Sequence, residues 1–167
     1  MKIQFMVAVL ALAAGACSSP APEATPETAE PQAATSAVPP DIAAAASAAA
    51  PGISITGGDF NANRTQFEVT GTMPNGDEVE LDVAQVNGTW TVEEIQRDVA
   101  WASVPEPVRA AAATAPNKFE PVRVIESRHP ADGSVVYELF AAPAQGSPAG
   151  GPALEVRWLN EKAEVLP

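Results

Sequence analysis

Apolar and polar residues alternate with period two through much of the chain after Gly52. Gln66-Phe67-Glu68-Val69-Thr70, Glu78-Val79-Glu80-Leu81-Asp82-Val83 and Thr89-Trp90-Thr91-Val92-Glu93-Glu94-Ile95 each place every second side chain on one face. Such alternation predicts half-buried antiparallel strands with one wet face. Turn signals separate them. Asn75-Gly76, within Met73-Pro74-Asn75-Gly76-Asp77, suits a type I′ hairpin turn, and Asn87-Gly88 offers a second turn. Val122-Arg123-Val124-Ile125-Glu126 then answers Ile53-Ser54-Ile55-Thr56. After an Asp132-Gly133 turn, Val136-Tyr137-Glu138-Leu139-Phe140 answers the segment around Phe67. Leu154-Glu155-Val156-Arg157-Trp158 answers the segment around Leu81, Asn160-Glu161 takes the place of Asn87-Gly88, and Ala163-Glu164-Val165-Leu166 closes the chain.

An alanine-rich phrase opening on Val-Pro precedes each set of strands: VPPDIAAAASAAAP from Val38 and VPEPVRAAAATAPN from Val104, 66 residues later. Ile42, Ala45, Ala46 and Ala49 in the first, and Val108, Ala111, Ala112 and Ala115 in the second, fall on one side of a helix. Alanine is the best helix former, and Pro51 and Pro116 end the two segments. Ser103-Val104-Pro105-Glu106 fits a capping box, with Glu106 as cap before Pro107 as the alternative. Helices this short need a sheet to pack on. The shared order of elements points to an internal duplication. The expected class is α+β: two tandem repeats of one helix plus about four antiparallel strands, forming a single curved sheet with helices on one face. The repeats are placed at 38–100 and 101–167. A linker that happens to end in alanines, followed by one irregular β domain, is the alternative.

The N-terminus carries other signals. Lys2 precedes an apolar run, Ile3 to Ala14, too short to span a bilayer but of the length of a signal-peptide core. Ala14-Gly15-Ala16-Cys17-Ser18 follows and resembles the lipobox of bacterial lipoproteins, with Ala14 where that family prefers leucine. The resemblance implies cleavage before Cys17, lipid on Cys17 as a membrane anchor and, with Ser18 in place of the retention aspartate, sorting to the outer membrane. Cys17 is the one cysteine in the chain, so no internal disulfide can use it. An ordinary secretory signal is the alternative. The signal segment is placed at 1–16. Residues 17–37 read as a disordered acidic tether of Pro, Ala, Thr and Ser with Glu23, Glu27 and Glu30.

Lys and Arg number 9 against 21 Asp and Glu, a formal charge of −12. Basic residues are too few and too scattered to neutralise a phosphate backbone, which argues against nucleic acid as partner.

The order of helix and strands, with Asn75-Gly76-Asp77, Asn87-Gly88-Thr89-Trp90 and Asp132-Gly133-Ser134-Val135-Val136-Tyr137, is similar to PepSY-like domains. The tandem arrangement resembles that of the beta-lactamase inhibitor proteins and covers about Val38 to Leu166. It implies non-enzymatic binding, including inhibition of a peptidase or another extracytoplasmic protein, without catalytic residues or cofactor. Those inhibitors are braced by disulfides, which this chain has no cysteines to form.

Little in the sequence points to reaction chemistry. His129, the one histidine, sits in Ser127-Arg128-His129-Pro130-Ala131-Asp132, where Ser, His and Asp crowd together but read more simply as a hairpin loop. A zinc site needs several His or Cys ligands. Asp77 and Asp132 lack the spaced acidic series of a calcium loop. Gly57-Gly58-Asp59 lacks the lysine of a phosphate loop. No carboxylate pair is singled out for glycoside chemistry.

The candidate surface is the outward side of the strands: Glu68, Glu80, Asp82, Glu93, Glu138, Glu155, Glu164, Arg123 and Arg157. Phe67, Val69, Val79, Leu81, Val83, Trp90, Tyr137, Leu139, Val156 and Trp158 face inward. The charged face, or the loop Ala141 to Pro152, is expected to meet a cationic protein partner; a merely solvated face is the alternative. Trp101 is expected to pack between the repeats. A structural envelope lipoprotein and an unrecognised hydrolase remain the other functional readings.

Overall fold

The computed structural model describes residues 37–143 and 150–167. Cys17, the signal segment, nearly all of the tether and the middle of the 141–152 loop lie outside the described residues. Helix α1 (Pro40–Ala49) leads into β1 (Ser54–Phe60), β2 (Gln66–Thr72), β3 (Glu78–Val86) and β4 (Thr89–Asp98). A 3₁₀ turn (Trp101–Ser103) introduces helix α2 (Glu106–Thr114), followed by β5 (Arg123–His129), β6 (Ser134–Phe140), β7 (Leu154–Leu159) and β8 (Lys162–Val165). The strands form one antiparallel sheet in chain order, β1 to β8, open at both edges.

The period-two pattern sets which face is covered. Phe67, Val69, Val79, Leu81, Val83 and Val92 are buried beneath Ile42, Ala46 and Ala50 of the first helical segment. Val124, Tyr137, Leu139 and Val156 are buried beneath Val108 and Ala112 of α2, with Val104. Small alanine side chains let each helix lie close to the strands. Each fully buried Val, Leu or Phe contributes about 1.5–3 kcal/mol.

Both helices lie on the same face, as the strand register shows. Ile95 packs against the first cluster. Arg97, two residues on, shares its face and pairs across β4–β5 with Glu126. Val124, two residues before Glu126, belongs to the second cluster. Helix α1 rests on β2, β3 and β4, and α2 on β7 and β8. Trp101 packs against the second cluster.

Most expected turns form, with two differences. Asn87 (φ 52°) and Gly88 (φ 81°) make a two-residue turn, as do Asn160 (φ 50°) and Glu161 (φ 62°). At Asn75-Gly76, Gly76 has φ 91° while Asn75 is not left-handed. Pro74, with its φ fixed at about −65°, takes the second position of an ordinary β-turn from Met73 to Gly76, which moves the turn one residue ahead of Asn75-Gly76. The chain instead forms a longer loop, with Gly76 N donating to Met73 O at 2.9 Å and Met73 N to Asp77 O at 2.8 Å. The capping box does not form either. Pro105 caps α2 without a side-chain bond, because Ser103 lies in the 3₁₀ turn and its hydroxyl donates to Ala100 O at 2.7 Å.

The open edges are blunted. The β1 register shifts between Ile55 and Gly57, and β8 has 4 residues including Lys162 and Glu164. At Gly58 the backbone of β1 runs beneath Phe67. A Cβ there would meet the Glu68 carbonyl oxygen and lie 2.5 Å from Phe67 Cε1. Gly58→Ala is expected to lower stability by about 1–3 kcal/mol through overpacking. Gly150→Ala, with nothing within 4 Å of its Cβ, is expected to leave the urea midpoint unchanged.

Candidate functional site

With both helices on one side, the opposite side of the sheet presents the alternate residues of every strand. Three cross-strand rows organise it. Glu68 pairs with Asp82, and Asp82 with Glu94. The second row runs Thr70, Glu80, Gln96, Ser127, Val136 and Arg157. In the third, Asp98 pairs with Ile125, Ile125 with Glu138, and Glu138 with Glu155. Of the candidate residues, Glu68, Glu80, Asp82, Glu138, Glu155 and Arg157 therefore stand on this face.

Glu93 stands beside Glu94 at an irregularity in the pairing. The register slips between Asp82 and Val83, so that Glu94 pairs with Asp82, Val92 with Val83, and Glu93 is passed over. A β-bulge of this kind resets the alternation. It brings Glu94 and Gln96 into the rows, positions that uninterrupted alternation assigned to the core side.

The carboxylates on this face repel one another. Like charges directly opposite in a sheet destabilise it. Burial, followed by the charges of Glu94, Glu80, Glu68 and Glu93, pushes the Asp82 carboxyl up to about 6. Burial, then Glu68 and Glu94, raises Glu80 against the lowering effect of Arg123. Glu138 is raised by burial and then by Glu94 and Glu155. The arginines on this face are engaged at its margins. Arg123 gives Nε and Nη2 to Asp98 at 2.7 and 3.0 Å, and Arg157 gives Nη2 to Asp132 at 2.8 Å.

Two hollows mark the surface. One of about 370 Å³ is lined by Thr56, Thr70, Glu80, Gln96, Arg123 and Ile125. The other, of about 670 Å³, is lined by Glu94, His129, Asp132, Val136 and Arg157 among others. Half-buried Ile125 and Val136 give each an apolar patch among polar walls.

The crowded segment around His129 does not assemble a hydrolytic triad. Ser127 is fully buried, its hydroxyl donates to Glu94, and His129 Nε2 lies 3.5 Å from it. The serine thus stands between acid and imidazole, whereas a triad needs the imidazole in the middle. Asp132 accepts from Ser134 N and Oγ at 2.8 and 2.6 Å and pairs with Arg157. Among the described residues, no group of three or more His, Asp or Glu could hold a metal ion. None of the described helices is long and apolar enough to cross a membrane.

The helix-covered face holds a polar cluster that local pattern does not reveal. Glu126, 7% exposed, accepts from Arg97 Nε at 2.9 Å, Arg128 Nε at 2.8 Å and Tyr137 Oη at 3.3 Å. Arg97 also reaches Asp77 at 3.1 Å. Burial acts to raise the Glu126 carboxyl, but the Arg97 hydrogen bond and the Arg128 charge outweigh it and hold the group below its ordinary value. Burial and the neighbouring Glu126 push the Tyr137 hydroxyl up to about 12.

No family model matches the chain, and no curated protein or solved structure shows significant similarity to it.

The position of Asp82 sets a testable pH dependence. Its folded pKa lies above its unfolded one, so its contribution to stability is fully present below about pH 4 and is lost as the pH rises through about 6. Asp82→Asn is expected to raise the melting temperature at pH 7.5, with the gain shrinking to nothing at pH 4. An equal gain at both pH values would show that ionisation of Asp82 is not the cause.

Proposed function

We propose that the protein is a lipid-anchored, periplasm-facing binding protein of the outer membrane that acts through the helix-free face of its sheet. On this reading Cys17 carries the lipid and residues 17–37 hold the folded part away from the membrane. The helix-plus-four-strand unit is a PepSY-like repeat occurring twice, and the partner is a protein with a cationic surface, such as an extracytoplasmic peptidase that the binding restrains.

The observation that carries the reading is the Glu68–Asp82–Glu94 row. Three carboxylates on neighbouring strands cost folding free energy, and among the described residues no cation bridges the row. A sequence optimised for stability alone would relieve that repulsion. A partner that supplies positive charge relieves it on binding, and the apolar patches at Ile125 and Val136 add area that excludes water. The supporting sequence features are the lipobox-like Ala14-Gly15-Ala16-Cys17 and the shared order of elements in the two halves.

The test passes envelope extract over immobilised full-length protein and identifies what is retained in one-to-one ratio. The partner is expected to be lost on combined Glu68→Lys and Asp82→Lys, and kept by Glu106→Lys on the helix side. Retention by both variants, or no stoichiometric partner, would refute binding through this face. Mass spectrometry of the mature N-terminus tests the anchor: a lipid-modified Cys17 is expected, and a mature chain with unmodified Cys17 contradicts it.

A further inference from the structure

Within the helix-free face, the hollow over Glu80 has features the wider carboxylate surface lacks. Its walls are Thr56 and Thr70 on β1 and β2, with Gln96 and Asp98 on β4 and Arg123 on β5. Ile125 gives it an apolar side. The Thr56 hydroxyl is 3.4 Å from that of Thr70. Glu80 lies in this hollow, between Thr70 and Gln96 in the strand register.

Two arginines line the hollow and both are committed elsewhere, Arg97 to Glu126 and Asp77. Arg123 holds Asp98 through two parallel hydrogen bonds, at 2.7 and 3.0 Å, and its guanidinium lies 5.4 Å from the centroid of the Phe140 ring. That bidentate pairing fixes the arginine at the rim. Glu80 forms no ion pair among the described residues, while Glu68 on β2, Asp82 on β3 and Glu94 on β4 surround it with like charge. A polar hollow of about 370 Å³, containing a half-buried carboxylate that repulsion disfavours, is matched to a compact cation on an apolar stem.

We propose that this hollow seats one lysine or arginine side chain of the partner, its cationic head on Glu80 and its methylene stem against Ile125. The threonine hydroxyls and the Gln96 carbonyl oxygen accept the remaining donor protons. The inference rests on the binding reading above and assigns the anchor point within it. It also makes binding proton-linked. Glu80 and its neighbour Asp82 are held above their ordinary carboxylate range, so acidification adds protons that the incoming cation has to displace. The charged groups acting on Glu80 are Glu68 and Glu94, which raise it, and Arg123, which lowers it; Glu80 in turn raises its neighbour Asp82, and Glu78, Arg97 and Asp98 also line the hollow.

The test titrates full-length ¹⁵N-labelled protein with Nα-acetyl-lysine methylamide and, separately, with its uncharged norleucine counterpart. A saturable shift confined to the Thr70, Gly71, Glu80 and Gln96 amides is expected for the lysine compound at pH 7.5, and none for norleucine. Glu80→Gln is expected to weaken the lysine response about tenfold, the loss of one charge-assisted bond, while Glu106→Gln on the helix side leaves it unchanged. The wild-type response weakens at pH 5. Shifts spread equally around Glu68 and Glu155, or a response indifferent to Glu80→Gln, would overturn the seat. A captured partner retained equally by Glu80→Gln protein overturns the seat and leaves the binding reading standing. A saturable lysine response with no captured partner supports the seat and overturns the binding reading.

Discussion

Glu126 is the constraint on which the arrangement depends. It lies where the first hydrophobic cluster gives way to the second, in a hollow it shares with Ala49, Ala50 and Pro51 at the end of α1. Four register pairs, Ile95 to Asp98 against Arg128 to Ile125, join β4 to β5. On the helix side of that joint, one buried carboxylate draws in Arg97 from β4, Arg128 from β5 and the Tyr137 hydroxyl from β6. Without it the two guanidiniums would face each other over the joint with Asp77, on Arg97, as the one remaining carboxylate partner. Both arginines are partly open to solvent, which screens the pairs, so losing Glu126 costs less than the roughly 3–5 kcal/mol of a fully buried ion pair. The ionic joint thus takes the place of hydrophobic packing where the two alanine-rich helices leave a gap.

The consequences reach the other face. A continuous sheet across β4 and β5 places Gln96 beside Ser127 and Asp98 beside Ile125. It thereby merges the carboxylates of the first four strands with Ile125, Val136 and Glu138 into one surface. Two separate sheets would present two smaller and unrelated faces. The division of labour is therefore between sides: apolar burial and the Glu126 ion pairs on the covered side, and on the bare one a row of carboxylates whose arginines are paired only at the margins.

Much of this was legible in the sequence. Period-two alternation placed Phe67, Val69, Leu81, Tyr137, Leu139 and Val156 in the core because each strand is covered on one side alone. Alanine spacing gave the buried stripes of both helices. Most of the outward carboxylates followed from the same alternation. Three things were hidden for physical reasons. The bulge at Glu93 depends on the register with β3, which no local pattern encodes, so Glu94 and Gln96 were missed. Glu126 resembles an outward residue, and its burial depends on an arginine 29 residues away. The turn at Asn75-Gly76 was misread because Pro74 overrides the usual preference of that dipeptide.

The central claim is that the two clusters and the joint at Glu126 behave as one folding unit. Urea unfolding of protein labelled with 5-fluorotryptophan tests it, since Trp90 reports on the first cluster and Trp158 on the second. Coincident transitions at the two resonances are predicted for the native chain, separating when Glu126 is replaced by alanine. Two separate transitions in the native chain would contradict the account.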